Sequence, residues 1–459
     1  MPTRTTLLLA AFLVVVSAIA QASTTTRKAF DLWLQAFNTD DRQSITAFWN
    51  THNPSWKGID RELAVSRESG GFTLMRIVKD DGTHLEAIVA DAGESFLGVT
   101  VTMNPSSSEA PVDRIDIHGA ASQDGLIAHY ATDRELIHAV KAKVDDLVKV
   151  DKFAGTVMIT RHGKVLLSEA RGEADRQSHK KITMDTQFRL GSMNKMITAV
   201  CILQLVEQKK LRLDGTIRDY WPDYPNQDVA RKVTIGNLLM HTAGTGDIFT
   251  PEYEARRLKV KTLDDYVKLY GNRDLEFEPG TQHRYSNYGF VILGVLIEKV
   301  TGLSYYDYVE KNIYLPAGMK DTGSEPESDS TPNLAVGYLP SQDGWKSNAD
   351  TLPYRGTSAG GGYSTVGDLL RFANALNSGK LLGLDWVHEA TREQMPGTRY
   401  GFGFEADGTY WGHSGAAPGI NGELRVYPKT GYVIVVLSNL EPPAAMRVAA
   451  FAGHRAPEQ

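Results

Sequence analysis

A serine and a lysine three residues apart form the pair whose chemistry is most direct in this chain, in the run Ser192-Met193-Asn194-Lys195. Positions i and i+3 of an α-helix share a face, so the lysine amine can reach the serine oxygen. A neutral lysine can accept the hydroxyl proton, which activates the serine as a nucleophile. The spacing therefore predicts a Ser–Lys nucleophile at the start of a helix.

The segment after the pair predicts where the serine lies. From residue 196 to residue 206, nine of eleven residues are apolar, which indicates a helix buried on nearly all sides. Gly191 and Ser192 then lie at its N-terminus, where unpaired N–H groups and a partial positive charge favour an oxyanion. Burial also lowers the pKa of a lysine, which a lysine base requires.

Two other interpretations of the spacing stay open. Ser192 can be a helix cap that is followed by an ordinary surface lysine. The same spacing also occurs at Ser178 and Lys181, within a polar run, where we expect a solvated turn. A second motif near Ser192 is needed to distinguish these interpretations.

The run Tyr285-Ser286-Asn287 is the candidate second motif. It follows Pro279-Gly280 and precedes an apolar run at 290–297. A tyrosine there can carry protons between nucleophile and leaving group, and the asparagine amide can hold Lys195 and a substrate carbonyl. Tyr-x-Asn also occurs at Tyr224 and Tyr270, for which we expect structural roles.

Two segments compete for the edge of the cleft opposite the serine. His413-Ser414-Gly415 precedes a loop of small residues that can border a cleft with bare backbone. Lys429-Thr430-Gly431 is a literal match to a pattern of penicillin-targeted enzymes. Because it follows Pro428 and lies between two strand-like runs, we predict a hairpin turn there.

Together, these motifs resemble the β-lactamase-related serine hydrolase family, which includes class C β-lactamases, D-Ala-D-Ala carboxypeptidases, D-aminopeptidases and esterases. The likeness covers roughly residues 135 to 455. The segments that carry it, in order, are Phe188-Arg189-Leu190-Gly191-Ser192-Met193-Asn194-Lys195, Leu238-Leu239-Met240-His241-Thr242-Ala243-Gly244, Pro279-Gly280 with Tyr285-Ser286-Asn287-Tyr288-Gly289, Gly361-Gly362-Tyr363-Ser364-Thr365, and Gly412-His413-Ser414-Gly415.

The resemblance implies a penicillin-binding-protein-like fold of mixed α/β and α+β class. An antiparallel sheet flanked by helices packs beside a helical subdomain, and the active site lies in the cleft between them. The resemblance makes Ser192 the nucleophile, Lys195 its activating partner and Tyr285 the proton carrier. The sequence itself has no cluster of histidine, cysteine, aspartate or glutamate with metal-ligand spacing and no glycine-rich phosphate loop, so we predict no cofactor and no metal.

The resemblance also implies a substrate-binding set. Asn287 becomes a ligand of substrate and lysine, and the backbone N–H groups of Ser192 and Ala416 form the oxyanion hole. The remaining members of the set are His413, Ser414 and Gly415. His413 stands where β-lactamases and carboxypeptidases usually carry lysine. An imidazole is mostly neutral at pH 7, so this departure favours an esterase or peptidase over an antibiotic hydrolase.

The N-terminal part of the chain has a different texture. Residues 1–22 show Arg4, an apolar run and Ala20-Gln21-Ala22, which predict a cleavable export signal; a membrane anchor is the alternative, although the run is short for spanning. Residues 23–130 read as two helical stripes followed by four strand-like runs. This region resembles a nuclear-transport-factor-2-like α+β domain, and residues 131–459 form the predicted hydrolase domain.

The charge and the cysteine count of the chain limit which partners and which cellular location we expect. The formal net charge is −6 and no basic block occurs, so we expect no nucleic-acid partner and no membrane span after signal cleavage. Cys201 is the single cysteine; it allows no internal disulfide, and we expect it in the core. We expect a periplasmic or secreted protein whose oligomeric state the sequence leaves open.

The sequence therefore predicts an exported serine hydrolase that cleaves a small ester, amide or peptide through an acyl-enzyme on Ser192. Two alternatives stay open. The first, within the same chemistry, is a D-Ala-D-Ala carboxypeptidase or a β-lactamase. The second is a penicillin-binding-like protein without turnover, whose N-terminal domain supplies the partner contact.

Overall fold

The computed structural model describes residues 25–92, 96–107, 111–119, 126–127, 129–329, 331–341 and 344–458. The predicted export signal, residues 1–22, lies outside these residues. The described chain forms two compact units. The first falls within Met1–Ala64, Leu74–Val89 and Leu97–Ala121, and the second within Val65–Thr73, Ala90–Phe96 and Ser122–Gln459.

The N-terminal region is built from helices followed by a four-stranded sheet, which confirms the predicted α+β region. Its strands pair in the order β1-β2-β3-β4. Trp33 in the first helix and Trp49 in the second are buried in its core. The elements are α1 (Thr25–Phe37), α2 (Arg42–His52), α3 (Ile59–Ser69), β1 (Phe72–Asp80), β2 (His84–Asp91), β3 (Phe96–Met103) and β4 (Val112–Gly119).

The third of these helices was not predicted, so the expectation of two helices is wrong. Helix α3 is rich in charged residues, and one of them, Glu62, points into the core. Its carboxylate accepts the indole N–H of Trp33 and, at 2.7 Å, that of Trp49. A buried acid inside an apolar stripe breaks the periodicity that predicts a helix.

The second unit contains a six-stranded sheet in which all neighbouring strands are antiparallel, in the order β13-β14-β15-β16-β5-β6. Three two-stranded pairs, β7-β8, β9-β12 and β10-β11, accompany it. The strands are β5 (Gly155–Arg161), β6 (Lys164–Arg171), β7 (Glu173–Asp175), β8 (Lys180–Lys181), β9 (Phe188–Arg189), β10 (Tyr338–Ser341), β11 (Gly344–Ser347), β12 (Tyr363–Ser364), β13 (Glu405–Ala406), β14 (Trp411–Ala417), β15 (Ile420–Tyr427) and β16 (Tyr432–Ser438).

Helices cover this sheet and form a helical layer beside it. Helix α16 packs on β15, β16 and α4, while α5 packs on α11. The helices are α4 (Asp133–Lys149), α5 (Asn194–Glu207), α6 (Ile217–Tyr220), α7 (Gln227–Lys232), α8 (Ile235–Leu239), α9 (Pro251–Arg256), α10 (Leu263–Tyr270), α11 (Asn287–Thr301), α12 (Tyr305–Val309), α13 (Leu315–Ala317), α14 (Val366–Asn377), α15 (Leu384–Ala390) and α16 (Ala444–Arg455).

Two helices, α5 and α11, position the candidate site. Nearly every residue of α5 and the first eleven residues of α11 are buried, which confirms the buried helices predicted from the two apolar runs. Ser286 caps α11, because its hydroxyl accepts the backbone N–H of Gly289 at 2.9 Å. The cap fixes the first turn of α11, where Asn287 lies, and Lys195 lies in the first turn of α5.

The structure also decides several structural expectations. Lys429-Thr430-Gly431 is a hairpin turn between β15 and β16, as predicted, with Gly431 at φ 73°. Ser178 and Lys181 lie in an exposed turn and strand. Cys201 is fully buried in α5. Within the described ranges no single helix meets the length and hydropathy requirements of a membrane span, although α11 and the segment Tyr305–Ala317 meet them jointly across a 79° bend.

Candidate active site

Ser192 lies in a short 3-10 turn, Gly191–Met193, that leads directly into α5. Gly191 has φ 55°, a left-handed conformation that favours glycine. Its carbonyl accepts the N–H of Gly361 at 3.0 Å. A β-carbon at Gly191 would lie 3.3 Å from the backbone nitrogen of Ala416. The turn is therefore held between a glycine loop and strand β14, and the backbone nitrogen of Ala416 lies next to it.

Lys195, in the first turn of α5, has no exposed surface. Its Nζ lies 3.4 Å from Ser192 Oγ, donates to Asn287 Oδ1 at 2.7 Å, and donates to the carbonyl oxygen of Ala359. Burial lowers its pKa to about 7, against an opposing effect of the Asp247 carboxylate. A neutral amine uses its two hydrogens for the two carbonyl oxygens, which leaves its lone pair for the serine hydroxyl.

Tyr285 lies beside both residues. Its ring face lies over Lys195 with Nζ 4.6 Å from the centroid, and the Ser192 side chain is close enough to act on the pKa of its phenol. Burial of the hydroxyl raises its pKa above the ordinary value, so the phenol is protonated at neutral pH. The side chain as a whole is 37 % exposed. A neutral phenol that also faces open space can pass a proton to a bound group.

Asn287 is the first residue of α11, and its amide orientation is fixed by its neighbours. Nδ2 donates to both carboxylate oxygens of Asp247, at 3.1 and 3.2 Å, so Oδ1 faces Lys195. Asp247 is half-buried in the loop after α8. It forms no ion pair among the described residues, and its charge acts on Lys195 through space.

Strand β14 carries residues 413–416 and passes the serine turn. A β-carbon at Gly415 would collide with the carbonyl oxygen of Leu190, so the strand passes the serine turn as bare backbone. His413 is 2 % exposed and hydrogen-bonds Tyr400 at 2.9 Å. Ser414 donates its hydroxyl to Glu405 at 2.6 Å, so that hydroxyl is already occupied.

The other Tyr-x-Asn tyrosines lie elsewhere. The Tyr224 hydroxyl pairs with that of Tyr288 at 3.1 Å, and Tyr270 donates to the carbonyl of Ile248 at 2.8 Å. Both side chains are buried, in agreement with structural roles. Among the described residues no group of three or more histidine, cysteine, aspartate or glutamate side chains has the geometry of a metal site.

Sequence analysis missed three groups of this site. The carbonyl of Ala359 gives no side-chain signal, although the small residues around it are typical of a close backbone approach. Asp247 stands in the run Gly244-Thr245-Gly246-Asp247, where an acid in a glycine-rich loop is a weak signal. Tyr400 lies 13 residues before His413 and matches no motif.

A serine at a helix start, a buried lysine of lowered pKa and an antiparallel sheet edge define a penicillin-binding-protein-like serine hydrolase. Residues 140–456 match the family described as Beta-lactamase. The chain belongs to the β-lactamase family of serine hydrolases, which confirms the resemblance and the predicted enzyme class. The match does not include the N-terminal region, so its nuclear-transport-factor-2-like character stays a prediction.

Individual relatives have names from the same group. The chain is 32 % identical over 308 residues to a putative penicillin-binding protein, PbpX, of Bacillus subtilis, covering 65 % of this chain and 74 % of the relative. It is 26 % identical over 312 residues to a teichoic acid D-alanine hydrolase of Staphylococcus aureus, covering 67 % and 75 %. A solved penicillin-binding protein of Bacillus halodurans aligns with TM-score 0.62 and 29 % identity, covering 67 % and 98 %.

Proposed function

We propose that this protein is an exported hydrolase that cleaves a small ester or amide through an acyl-enzyme on Ser192. Lys195 accepts the hydroxyl proton as the serine attacks the carbonyl carbon. As the bond to the leaving group breaks, Tyr285 gives its proton to that group and regains one from the Lys195 ammonium. Water later attacks the acyl ester, giving a proton to Lys195 as it does so; the acid is released and this proton returns to Ser192. The backbone N–H groups of Ser192 and Ala416 are the proposed oxyanion hole.

One observation carries the proposal. The Lys195 amine has two fixed acceptors, Asn287 and Ala359, and its remaining direction is toward Ser192 Oγ at 3.4 Å. With a pKa of about 7, a large fraction of the amine is neutral near pH 7. An ordinary surface lysine has neither the burial nor this set of partners, so the geometry argues against the helix-cap interpretation.

The proposed substrate class depends on the segment of strand β14 that carries His413. On this strand His413 stands in place of a permanent cation, which favours a substrate whose leaving group carries no free carboxylate. The relative named as a teichoic acid D-alanine hydrolase supports an ester or amide substrate. A D-Ala-D-Ala carboxypeptidase or β-lactamase is the second candidate, supported by the names of the penicillin-binding relatives.

The remaining parts of the proposal concern the N-terminal residues. We propose cleavage of residues 1–22, a periplasmic or secreted location, and an independent α+β domain at 23–130. N-terminal sequencing of the protein recovered from the expressing cells tests the cleavage: an N-terminus at Met1 or Pro2 on all of the protein contradicts it.

The activity is tested with Ser192→Ala against short-chain nitrophenyl esters, a chromogenic cephalosporin and D-amino-acid amides. We expect loss of turnover with an unchanged circular dichroism spectrum, because the Ser192 hydroxyl does not cap the helix. Ser178→Ala is the matched control and should keep full activity. Residual turnover above about a tenth of wild type in Ser192→Ala would place the nucleophile elsewhere.

Intact-protein mass spectrometry distinguishes turnover from permanent capture. During steady-state turnover, wild type should show a transient mass increase equal to the acyl group, and Ser192→Ala should show none. An adduct that persists after the substrate is removed would instead support the binding protein without turnover.

A further inference from the structure

His241, Tyr400 and His413 form a hydrogen-bonded chain that ends on strand β14, where His413 lies. His241 Nε2 lies 3.2 Å from the Tyr400 hydroxyl, and that hydroxyl lies 2.9 Å from His413 Nε2. All three side chains are nearly fully buried. We refer to them as the His–Tyr–His chain.

The backbone fixes the protons at both ends of the His–Tyr–His chain. The N–H of Ser286 points at His241 Nδ1 at 3.1 Å and can only donate, so this nitrogen carries no proton and the neutral ring is protonated at Nε2. The carbonyl of Ser414 lies 2.6 Å from His413 Nδ1 and can only accept, so this nitrogen carries the proton. His241 therefore donates to Tyr400, and Tyr400 donates to His413.

This order of donors opposes a charge on His413. An imidazolium would carry a second proton on Nε2, which would face a Tyr400 oxygen that already accepts from His241. The hydroxyl proton of Tyr400 would then lose its acceptor inside a buried site, and an unsatisfied buried donor is costly. All hydrogen bonds of the His–Tyr–His chain are satisfied only while both imidazoles are neutral.

The groups around His413 act in both directions. Glu405 Oε1 lies 3.5 Å from Nδ1 and favours the charged ring, although this oxygen already accepts the N–H and hydroxyl of Ser414. Burial and the nearby Lys195 ammonium favour the neutral ring, and the net direction is a lowered pKa of His413. Tyr400, His241 and Tyr285 complete the surroundings as neutral groups.

The His–Tyr–His chain also touches the proton-carrying tyrosine. The ring centroids of His241 and Tyr285 are 4.2 Å apart, and those of Tyr285 and His413 are 6.4 Å apart. His241 holds its place with φ 58°, a conformation rare outside glycine and kept only where surrounding contacts enforce it. His283 lies 5.9 Å from Tyr400 and 6.0 Å from His241, and its pKa is lowered by burial.

We propose that Tyr400, aligned by His241, is a positioning residue that determines substrate specificity. It holds His413 in the uncharged form protonated at Nδ1, so the cleft selects acyl donors whose leaving group lacks a carboxylate. This inference rests on the proposed function for its kinetic consequence, whereas the proton positions exist in the resting protein.

The first measurement needs no turnover. In histidine-selectively ¹⁵N-labelled protein, long-range ¹⁵N–¹H correlation should show His413 protonated at Nδ1 and His241 at Nε2, with assignments from His413→Asn and His241→Asn. In Tyr400→Phe, His413 should no longer be held in the single neutral tautomer protonated at Nδ1. Tyr224→Phe, which also removes a buried hydroxyl, should leave that tautomer unchanged. His413 protonated at Nε2 in wild type would contradict the order of donors inferred for the His–Tyr–His chain.

The second measurement uses two matched thioesters, an S-acyl thioglycolate with a carboxylate in its leaving group and the corresponding thioglycolamide. In wild type the ratio of their kcat/KM values should stay flat from pH 8 to pH 6, because His413 does not become charged. An unconstrained imidazole, with pKa near 6.5, would raise the ratio as the pH falls. In Tyr400→Phe at pH 6 the ratio should rise about fivefold or more, the scale of a partly solvated ion pair.

The outcomes separate the two proposals. A ratio that rises with acidity in wild type, or that stays at the wild-type value in Tyr400→Phe, overturns the specificity role. If wild type hydrolyses neither thioester nor any substrate of the ester and amide panel, the proposed function fails. The spectrum of the resting protein then still decides whether the proton order exists.

Discussion

Asp247 binds the side-chain amide of Asn287 with both carboxylate oxygens, at 3.1 and 3.2 Å. This contact turns the amide oxygen of Asn287 toward Lys195, where it accepts a hydrogen bond at 2.7 Å. A carboxylate without an ion-pair partner among the described residues thus acts on the lysine twice, through the amide it orients and through its charge.

Asp247→Asn should move the pH dependence of kcat/KM to lower pH. Burial lowers the pKa of Lys195 to about 7, while the Asp247 charge raises it. The proposed base is the neutral amine, so the rate rises as the pH passes this pKa. Removing the negative charge lowers the pKa further, and the rising limb moves to lower pH. Asp247→Glu is the control that keeps the charge, and an unmoved or opposite limb in Asp247→Asn would contradict the assignment.

Lys195→Ala should reduce kcat about as far as Ser192→Ala, because residues that act as a unit do not contribute additively. The double variant should be no slower than either single variant. Lys429→Ala is the matched control, since it removes a lysine from the hairpin turn after β15. A Lys195→Ala protein that keeps more than about a tenth of wild-type turnover would show that another group accepts the proton.

Tyr285→Phe should lose roughly 10²-fold or more in kcat, the usual scale for a positioned acid or base. The ring packing over Lys195 is kept and only the hydroxyl, which lies close to Ser192, is removed. Tyr224→Phe and Tyr270→Phe remove hydroxyls that bond to other partners, and both should stay near wild type. If either of these is slow and Tyr285→Phe is not, the proton carrier is another tyrosine.

Lys429→Ala and His413→Ala test which segment serves the cleft. Lys429→Ala should change kcat/KM less than about twofold, within the range of surface substitutions, whereas His413→Ala should impair catalysis clearly because it breaks the bond to Tyr400. His413→Lys should strengthen binding of carboxylate-bearing substrates relative to neutral esters. A large loss from Lys429→Ala with an indifferent His413→Ala would reverse the assignment.

The sequence predicts the parts of this protein that depend on local periodicity and on side-chain type. Helices α5 and α11 follow from uninterrupted apolar runs, and the Ser192, Lys195 and Tyr285 set follows from spacing and motif order. Helix α3 was missed because Glu62 is buried where the pattern requires an apolar residue, and its indole partners are distant in sequence.

Other contacts depend on the tertiary fold alone. The Ala359 carbonyl reaches Lys195 across 164 residues, and Asp247 meets Asn287 across 40. Neither separation leaves a periodic signal. The bond between Tyr400 and His413 spans only 13 residues, but the intervening chain turns before β14, so spacing gives no indication that the two side chains meet.

Ser286 connects several parts of the candidate site. Its hydroxyl caps the N-terminus of α11 and donates to the carbonyl of Gly246 at 2.5 Å, next to Asp247. Its backbone N–H donates to His241 Nδ1. Its chain neighbours on either side are Tyr285 and Asn287. Drift at this one position would disturb the proton carrier, the lysine's amide partner and the imidazole alignment together. Substitutions that shift Ser286 would therefore change several parts of this active site together rather than one at a time.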